Sequence, residues 1–298
     1  MKRLRIAIIG LGLIGGSLGL AIKNHYGAQV TVAGVDQDES TLAYALGSGA
    51  ADSAATDSRT AVSQADIVFL CTPVLQVVPV VQKILPYLKP GAILSDVGST
   101  KQYLYEALSA LLPEDIHYVA GHPMAGSEQS GIKAADKDLF REKYYIIIPE
   151  TTRLASAADK IRDLLSCTGA KITAMELAQH DRCAAVISHV PHVTAAALVH
   201  LLGLRPAELE NNLKLAGGGF RDTTRIASSN ADMWADICMS NPEAIIDSLT
   251  HLQGIIDQVI ASVRRQDRES VHAFFKTAKL RRDSLIQASF CPSAGNAE

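Results

Sequence analysis

The feature that most limits what this chain can fold into is "IAIIGLGLIGGSLGLAI", residues 6–22, where a β-rich run meets a helical run. Glycine stands at the junction, at Gly10, Gly12 and Gly15. In that context a G-x-G-x-x-G pattern reads as the first turn of a dinucleotide-binding βαβ unit. Gly10 permits the tight turn, Gly12 lets the backbone approach a pyrophosphate, and Gly15 lets helix and strand pack closely. The helix that follows turns its first N–H groups to the phosphates, with Leu13 and Ile14 in the opening turn. About 20 residues on, where such a unit places an acid on the ribose hydroxyls, Asp36 ends the run "QVTVAGVD". A phosphorylated ribose would bring about two further negative charges to Asp36, Asp38 and Glu39, with no arginine close by, so NAD is expected over NADP. The basic start and apolar run could pass for a signal peptide, but the recurring glycines and the missing cleavage pattern argue against it.

The β-rich runs continue as "DIVFLCTP" (66–73), "AILSDVGS" (92–99), "IHYVAGHP" (116–123), "YYIIIPE" (144–150) and a last one in "AKITAMEL". Helical stretches separate them, which implies right-handed crossovers and a mostly parallel sheet. After His180 only helical patterns remain. The expected fold is therefore α/β: a Rossmann-type doubly wound domain over residues 1–177, then an all-α domain over 178–298. A length of 298 residues suits two domains. From Pro242 to Arg264, with Ser240 or Asn241 placed to cap, Ile245, Ile246, Leu249, Leu252, Ile255, Ile256, Val259, Ile260 and Val263 recur at three- and four-residue steps. That stripe serves either an ordinary helical core or, in part, a homodimer interface through the helical domain.

Charge and cysteine usage narrow the partners. A net charge of −3 with interspersed signs gives no reason to expect nucleic acid or an anionic membrane, and no other run reads as a membrane span. Five scattered cysteines without C-x-x-C spacing point to a reducing cytoplasm and away from a disulfide framework or zinc knuckle. A small-molecule substrate is expected.

In open α/β sheets the ligand lies beyond the carboxyl ends of the strands. Those ends carry Gly10, Asp36, the trio Cys71, Thr72 and Pro73, the stretch "DVGSTK" (96–101), and His122 of "GHPMAGSEQSG". A histidine there, with an ordinary pKa near ~6.5, can receive a proton while hydride leaves, a service worth about 10²–10⁴ in rate; the plain alternative is a histidine satisfying a loop carbonyl. In the helical half "SHVPH" puts His189 and His192 on one face with Pro191 as a kink, either lining a polar pocket or, less favoured, holding a metal. "GGGFRDTTRIA" breaks the helical pattern and offers Arg221 and Arg225, suited to a carboxylate-bearing substrate or to a solvated face paired with Asp222.

Together "GLGLIGGSL", "DVGSTK", "GHPMAGSEQSG", "HDRCAAVISHVPH", "GGGFRDTTRIA" and "MWADI" resemble the prephenate/arogenate dehydrogenases over nearly the whole chain. The resemblance implies NAD-dependent oxidative decarboxylation, with hydride leaving the ring carbon that bears the hydroxyl and the ring carboxylate leaving as carbon dioxide. It implies His122 as the catalytic histidine, Ser99 as its helper and Arg225 on a substrate carboxylate. It also implies His192, or else His189, in the pocket, Glu128 at its entrance, and Arg221 and Trp234 where a partner subunit contributes. Prephenate is the expected substrate and arogenate the alternative. An ACT or chorismate mutase domain, found in some members, is not expected in this chain. The rivals are a β-hydroxyacid dehydrogenase, which would be expected to rely on a helical-half lysine, and a silent NAD-binding sensor, which would not need His122, Ser99 and Arg225 together.

Overall fold

The computed structural model describes residues 3–126 and 129–290. These residues include eight strands: β1 (Leu4–Ile9), β2 (Val30–Val35), β3 (Ser53–Ala55), β4 (Ile67–Leu70), β5 (Ile93–Asp96), β6 (His117–Pro123), β7 (Tyr144–Ile148) and β8 (Lys171–Ala174). They form one sheet in the order β3-β2-β1-β4-β5-β6-β7-β8, parallel throughout except where β7 runs against β6. Six helices are interleaved with the strands: α1 (Leu13–Tyr26), α2 (Glu39–Ser48), α3 (Ser58–Ser63), α4 (Val74–Ile84), α5 (Gln102–Leu111) and α6 (Ala155–Leu165).

The central strands are apolar on both faces, and their alternation divides the core in two. Ile6, Ile8, Val32 and Phe69 face Leu18 and Ile22 of α1 and Ala157 and Ile161 of α6. Ala7, Ile9, Val68 and Leu70 face Val77 and Val81 of α4 and Leu104 and Leu108 of α5. This is the doubly wound arrangement, and its order reverses between β1 and β4, which opens a crevice at their carboxyl ends. The short β3 has no counterpart among the β-rich runs of the sequence, because "SAA" is small and largely unburied.

Among the described residues only helices follow β8: α7 (Leu177–Ala184), α8 (Val190–Gly203), α9 (Leu209–Leu215), α10 (Gly218–Thr224), α11 (Ala231–Ser240), α12 (Pro242–Arg264) and α13 (Arg268–Phe290). A π-helical turn over Ala185–His189 joins α7 to α8, with the Val190 N–H donating to Ala185 O, five residues back. Proline interrupts helical hydrogen bonding and crowds the carbonyl four residues earlier. Here the expected kink at Pro191 takes the form of this wider turn just ahead of it. Within the joined helix, Leu177–Gly203, an 18-residue window reaches a mean hydropathy of 1.5, so this is the one helix among the described residues that by length and composition alone could cross a membrane, where the sequence reading expected none. Its His180, Asp181 and His189 are nevertheless buried in the protein.

The chain divides into two compact units, one up to Ile245 and one from Ile246 on. In the first, α11 packs on α4 and α7 on α5, while α10 and the turn after it pack on α8. In the second, Ile246, Ile255, Ile256, Ile260 and Val263 of the α12 stripe are exposed.

Candidate active site

The glycine turn is shaped by close approaches. Gly10 has φ +93°, and a Cβ there would lie 2.6 Å from Cys71 O. A Cβ on Gly15 would lie 2.0 Å from Gly10 O, so helix and strand pack only without it. At Gly12, the residue before α1, a Cβ would meet no protein atom within 4 Å, which leaves the space in front of the helix N-terminus open to a ligand. Half-buried Leu13 and Ile14 begin the helix, and Ile14 packs against the core. Beside the turn, Asp36 at the end of β2 accepts from the Leu11 N–H at 2.8 Å and the Asp38 N–H at 3.1 Å, which fixes its carboxylate next to the glycines. Asp38 caps α2 by accepting from the Ser40 and Thr41 N–H groups, and bonds from their hydroxyls and main chain hold its pKa down to about 2. On the far side of the crevice, Cys71, Thr72 and Pro73 leave β4. The Thr72 hydroxyl is buried with no partner among the described residues, while burial pushes the Cys71 thiol far above its ordinary value. An open phosphate approach, a fixed carboxylate and an orphaned hydroxyl fit a dinucleotide.

Two strands along, His122 comes off β6 and is buried, with 8% of its surface exposed. Burial, with His180, Lys101 and His189 adding to it, holds its pKa well below the ordinary histidine value, so the ring is neutral at pH 7. Its Nδ1 lies 2.9 Å from His180 Nε2, and His180 Nδ1 lies 2.8 Å from Asp181 Oδ1. Beneath it Lys101 and Asp96, both fully buried, form an ion pair. The lysine also donates to Gly121 O at 2.8 Å, and Asp96 accepts from Tyr118 Oη, Gly121 N and Gly98 N at 2.8, 3.2 and 2.7 Å. "DVGSTK" thus anchors the strand end that carries the histidine. Ser99 is half-buried in the same loop, and among the described residues nothing hydrogen-bonds its hydroxyl.

The helical half brings its own groups to this side. His189 is fully buried, and burial lowers its pKa to about 4. Its Nδ1 lies 3.4 Å from Asn241 Nδ2, while its Nε2 has no partner among the described residues. His192 stacks on Trp234 with ring centroids 3.7 Å apart, and His189 meets the same indole edge-on at 6.1 Å. The Trp234 N–H is likewise buried and without a described partner. Among the described residues no group of three potential metal ligands forms around these rings. Arg221, in the last turn of α10, and Arg225, just after it, are exposed. Glu128 lies outside the described residues.

The chain matches the family model of the prephenate dehydrogenase nucleotide-binding domain over residues 18–174 and that of the prephenate dehydrogenase dimerization domain over 176–277. It belongs to the prephenate dehydrogenase family. Within that family, the prephenate dehydrogenase of Bacillus subtilis (strain 168) is 38% identical over 282 residues, which span 94% of this chain and 76% of the relative. A structure of the Aquifex aeolicus prephenate dehydrogenase in complex with hydroxyphenyl propionate and NAD+ superposes with a TM-score of 0.88 at 27% identity, covering 96% of this chain and 99% of that one. The Synechocystis arogenate dehydrogenase superposes with a TM-score of 0.81 at 31% identity, covering 95% and 100%.

Four buried polar residues escaped the sequence reading as site candidates: His180, Asp181, Lys101 and Asp96. All lie inside the quoted motifs. The signal was present as charged and titratable residues set in otherwise apolar or glycine-rich stretches, but their partners stand as many as 80 positions apart.

Proposed function

We infer that this chain is an NAD-dependent prephenate dehydrogenase that converts prephenate to 4-hydroxyphenylpyruvate and carbon dioxide, a step of tyrosine biosynthesis. The observation that carries the reading is a buried His122 at the carboxyl edge of the sheet, three strands from the open glycine turn after β1, in a chain of this family. Gly10, Gly12, Leu13, Ile14 and Gly15 would hold the pyrophosphate, Asp36 the ribose hydroxyls, and Cys71, Thr72 and Pro73 the crevice wall. Bound there, NAD would supply the hydride acceptor.

The residues of the chain supply the rest. His122 takes the proton of the substrate hydroxyl as the carbon–oxygen double bond forms. Ser99 holds that hydroxyl in line with the ring. Arg225 binds a carboxylate of the substrate, and His192 and Trp234, with His189 behind them, line the pocket. Arg221 and Trp234 serve the pocket near the partner subunit. Loss of carbon dioxide makes the ring aromatic and drives the step, so positioning is the larger part of the task. The division between the nucleotide-binding and helical parts is proposed near residue 177, where the two family matches meet and inside the first of the two compact units.

The working form is a homodimer through the helical domain. The dimerization match supports this, as do Val186, Ile187, Leu201, Leu204 and Leu215, apolar side chains left exposed on a single chain. Scattered cysteines without C-x-x-C spacing support a reducing, cytoplasmic location.

The test is formation of reduced nicotinamide by the purified protein with prephenate or arogenate, each offered with NAD and with NADP. Turnover of prephenate with NAD is expected. Turnover of arogenate alone would move the activity to that substrate, a reading the Synechocystis likeness keeps alive; silence in all four would overturn both.

A further inference from the structure

We propose that Asp181 and His180 are positioning residues that fix the tautomer of His122, keeping the proton on Nδ1 and leaving Nε2 bare to take the substrate's proton. The reasoning begins at the N-terminus of α5. The first N–H groups of a helix have no acceptor within the helix, and the helix end favours negative charge. Lys101, the residue before α5, supplies no side-chain cap, because its ammonium is engaged with Asp96 and Gly121 O. The carboxylate of Asp181, carried by α7, fills the vacancy. It accepts from the Lys101 N–H at 2.8 Å and the Gln102 N–H at 2.9 Å. Burial opposes its ionisation, but the bonds from His180 and these two main-chain donors outweigh that and keep its pKa below the ordinary carboxylate value.

An ionised carboxylate can only accept. His180 Nδ1, 2.8 Å away, therefore carries the proton of that contact. In a neutral imidazole the other nitrogen is then an acceptor, so His180 Nε2 presents a lone pair to His122 Nδ1 at 2.9 Å. His122 Nδ1 must donate, and its Nε2 is left without a hydrogen. With His180 neutral, the opposite tautomer at either ring sets two lone pairs or two hydrogens against each other in a buried contact. The chain is held in place from behind as well, since Asn241 Nδ2 donates to the main-chain oxygen of Asp181 at 2.9 Å. A helix N-terminus thereby decides which nitrogen of a ring two residues removed is basic. When Nε2 takes its proton, the new positive charge faces Asp181 through one ring. The last step alone rests on the dehydrogenase reading; the tautomer does not.

The test is ring ¹⁵N NMR of the full-length protein labelled at histidine, near pH 7.5, with the His122 signals identified by their loss in His122→Gln. The result expected is a protonated Nδ1 and a bare Nε2. A proton on Nε2, alone or together with Nδ1, overturns the proposal whether or not the protein turns over prephenate. Two variants separate positioning from packing. In His180→Gln the amide oxygen can still accept from His122 Nδ1; in His180→Leu nothing can, while both lose the tie to Asp181. His180→Leu should lose about 10²-fold in kcat with KM for substrate and NAD nearly unchanged, and His180→Gln no more than about tenfold. Equal losses in both variants, or a loss confined to KM, would make position 180 a packing residue only.

Discussion

Replacing Lys101 by methionine tests how far the buried ion pair under His122 supports the fold. Methionine keeps the apolar stem but removes the ammonium, so Asp96 loses its cation and Gly121 O its donor, both out of contact with water. Breaking a buried pair from one side costs about 3–5 kcal/mol, because the remaining charge stays buried. Asp96 keeps its bonds from Tyr118 Oη, Gly121 N and Gly98 N, so about 3 kcal/mol is the expected loss here. That is a large share of the ~5–15 kcal/mol by which folded proteins are stable. The double variant Asp96→Asn with Lys101→Met removes the stranded charge and should recover about 1–2 kcal/mol relative to the sum of the single variants. The assay is urea unfolding at one fixed protein concentration, read as a shift in midpoint at constant slope. A loss below about 1 kcal/mol for Lys101→Met, or additivity of the two substitutions within about 0.5 kcal/mol, would refute the reasoning.

His122→Asn should depress kcat by about 10²–10⁴ with substrate affinity little changed, whereas Arg225→Ala should mainly raise KM, and steady-state kinetics showing the reverse would exchange the two roles. Gly12→Ala should weaken NAD binding in a titration while leaving the unfolding midpoint nearly in place, since a Cβ there meets only open space; Gly15→Ala should shift the midpoint, its Cβ falling 2.0 Å from Gly10 O. Asp36→Ala should relax the preference against NADP, and an unchanged ratio of kcat/KM between the two cofactors would remove Asp36 as the ribose ligand. Stability should fall as the medium is acidified from pH 6.5 to 4, because the unfolded His189 ring takes its proton near 6.5 and the folded one only at about 4. By linkage that difference is worth about 3 kcal/mol, absent above pH 6.5 and complete below pH 4, and unfolding midpoints of His189→Gln should show a shallower slope in that window.

The features legible in the sequence are those with a local cause. Strand β1 and the turn after it declare themselves because apolar alternation and three glycines act within a dozen positions, and the edge that gathers Gly10, Asp36, Thr72 and His122 follows from parallel topology alone. Strand β3 leaves no such mark, because three small residues carry no hydrophobic pattern and take their conformation from pairing with β2. His122 could be placed at the strand end, but its orientation depends on His180, which belongs to a helix 58 positions later. The lysine of "DVGSTK" shows the same limit. Its sequence neighbours suggest a solvated loop, whereas the long-range contacts with Gly121 and Asp181 go with full burial of its ammonium against Asp96.

The π-helical turn over Ala185–His189 has a consequence for length. A turn closed over five residues instead of four holds one residue more than its α-helical equivalent, so everything from Val190 onward is advanced in phase by about 100°. His180 and Asp181 lie before the offset, and His192, stacked on Trp234, lies after it. Removing any single residue between 185 and 189 would restore the α-helical register and turn one set away from its partners while the other stayed in place. In this segment a side chain can be exchanged more safely than the count of residues can be changed.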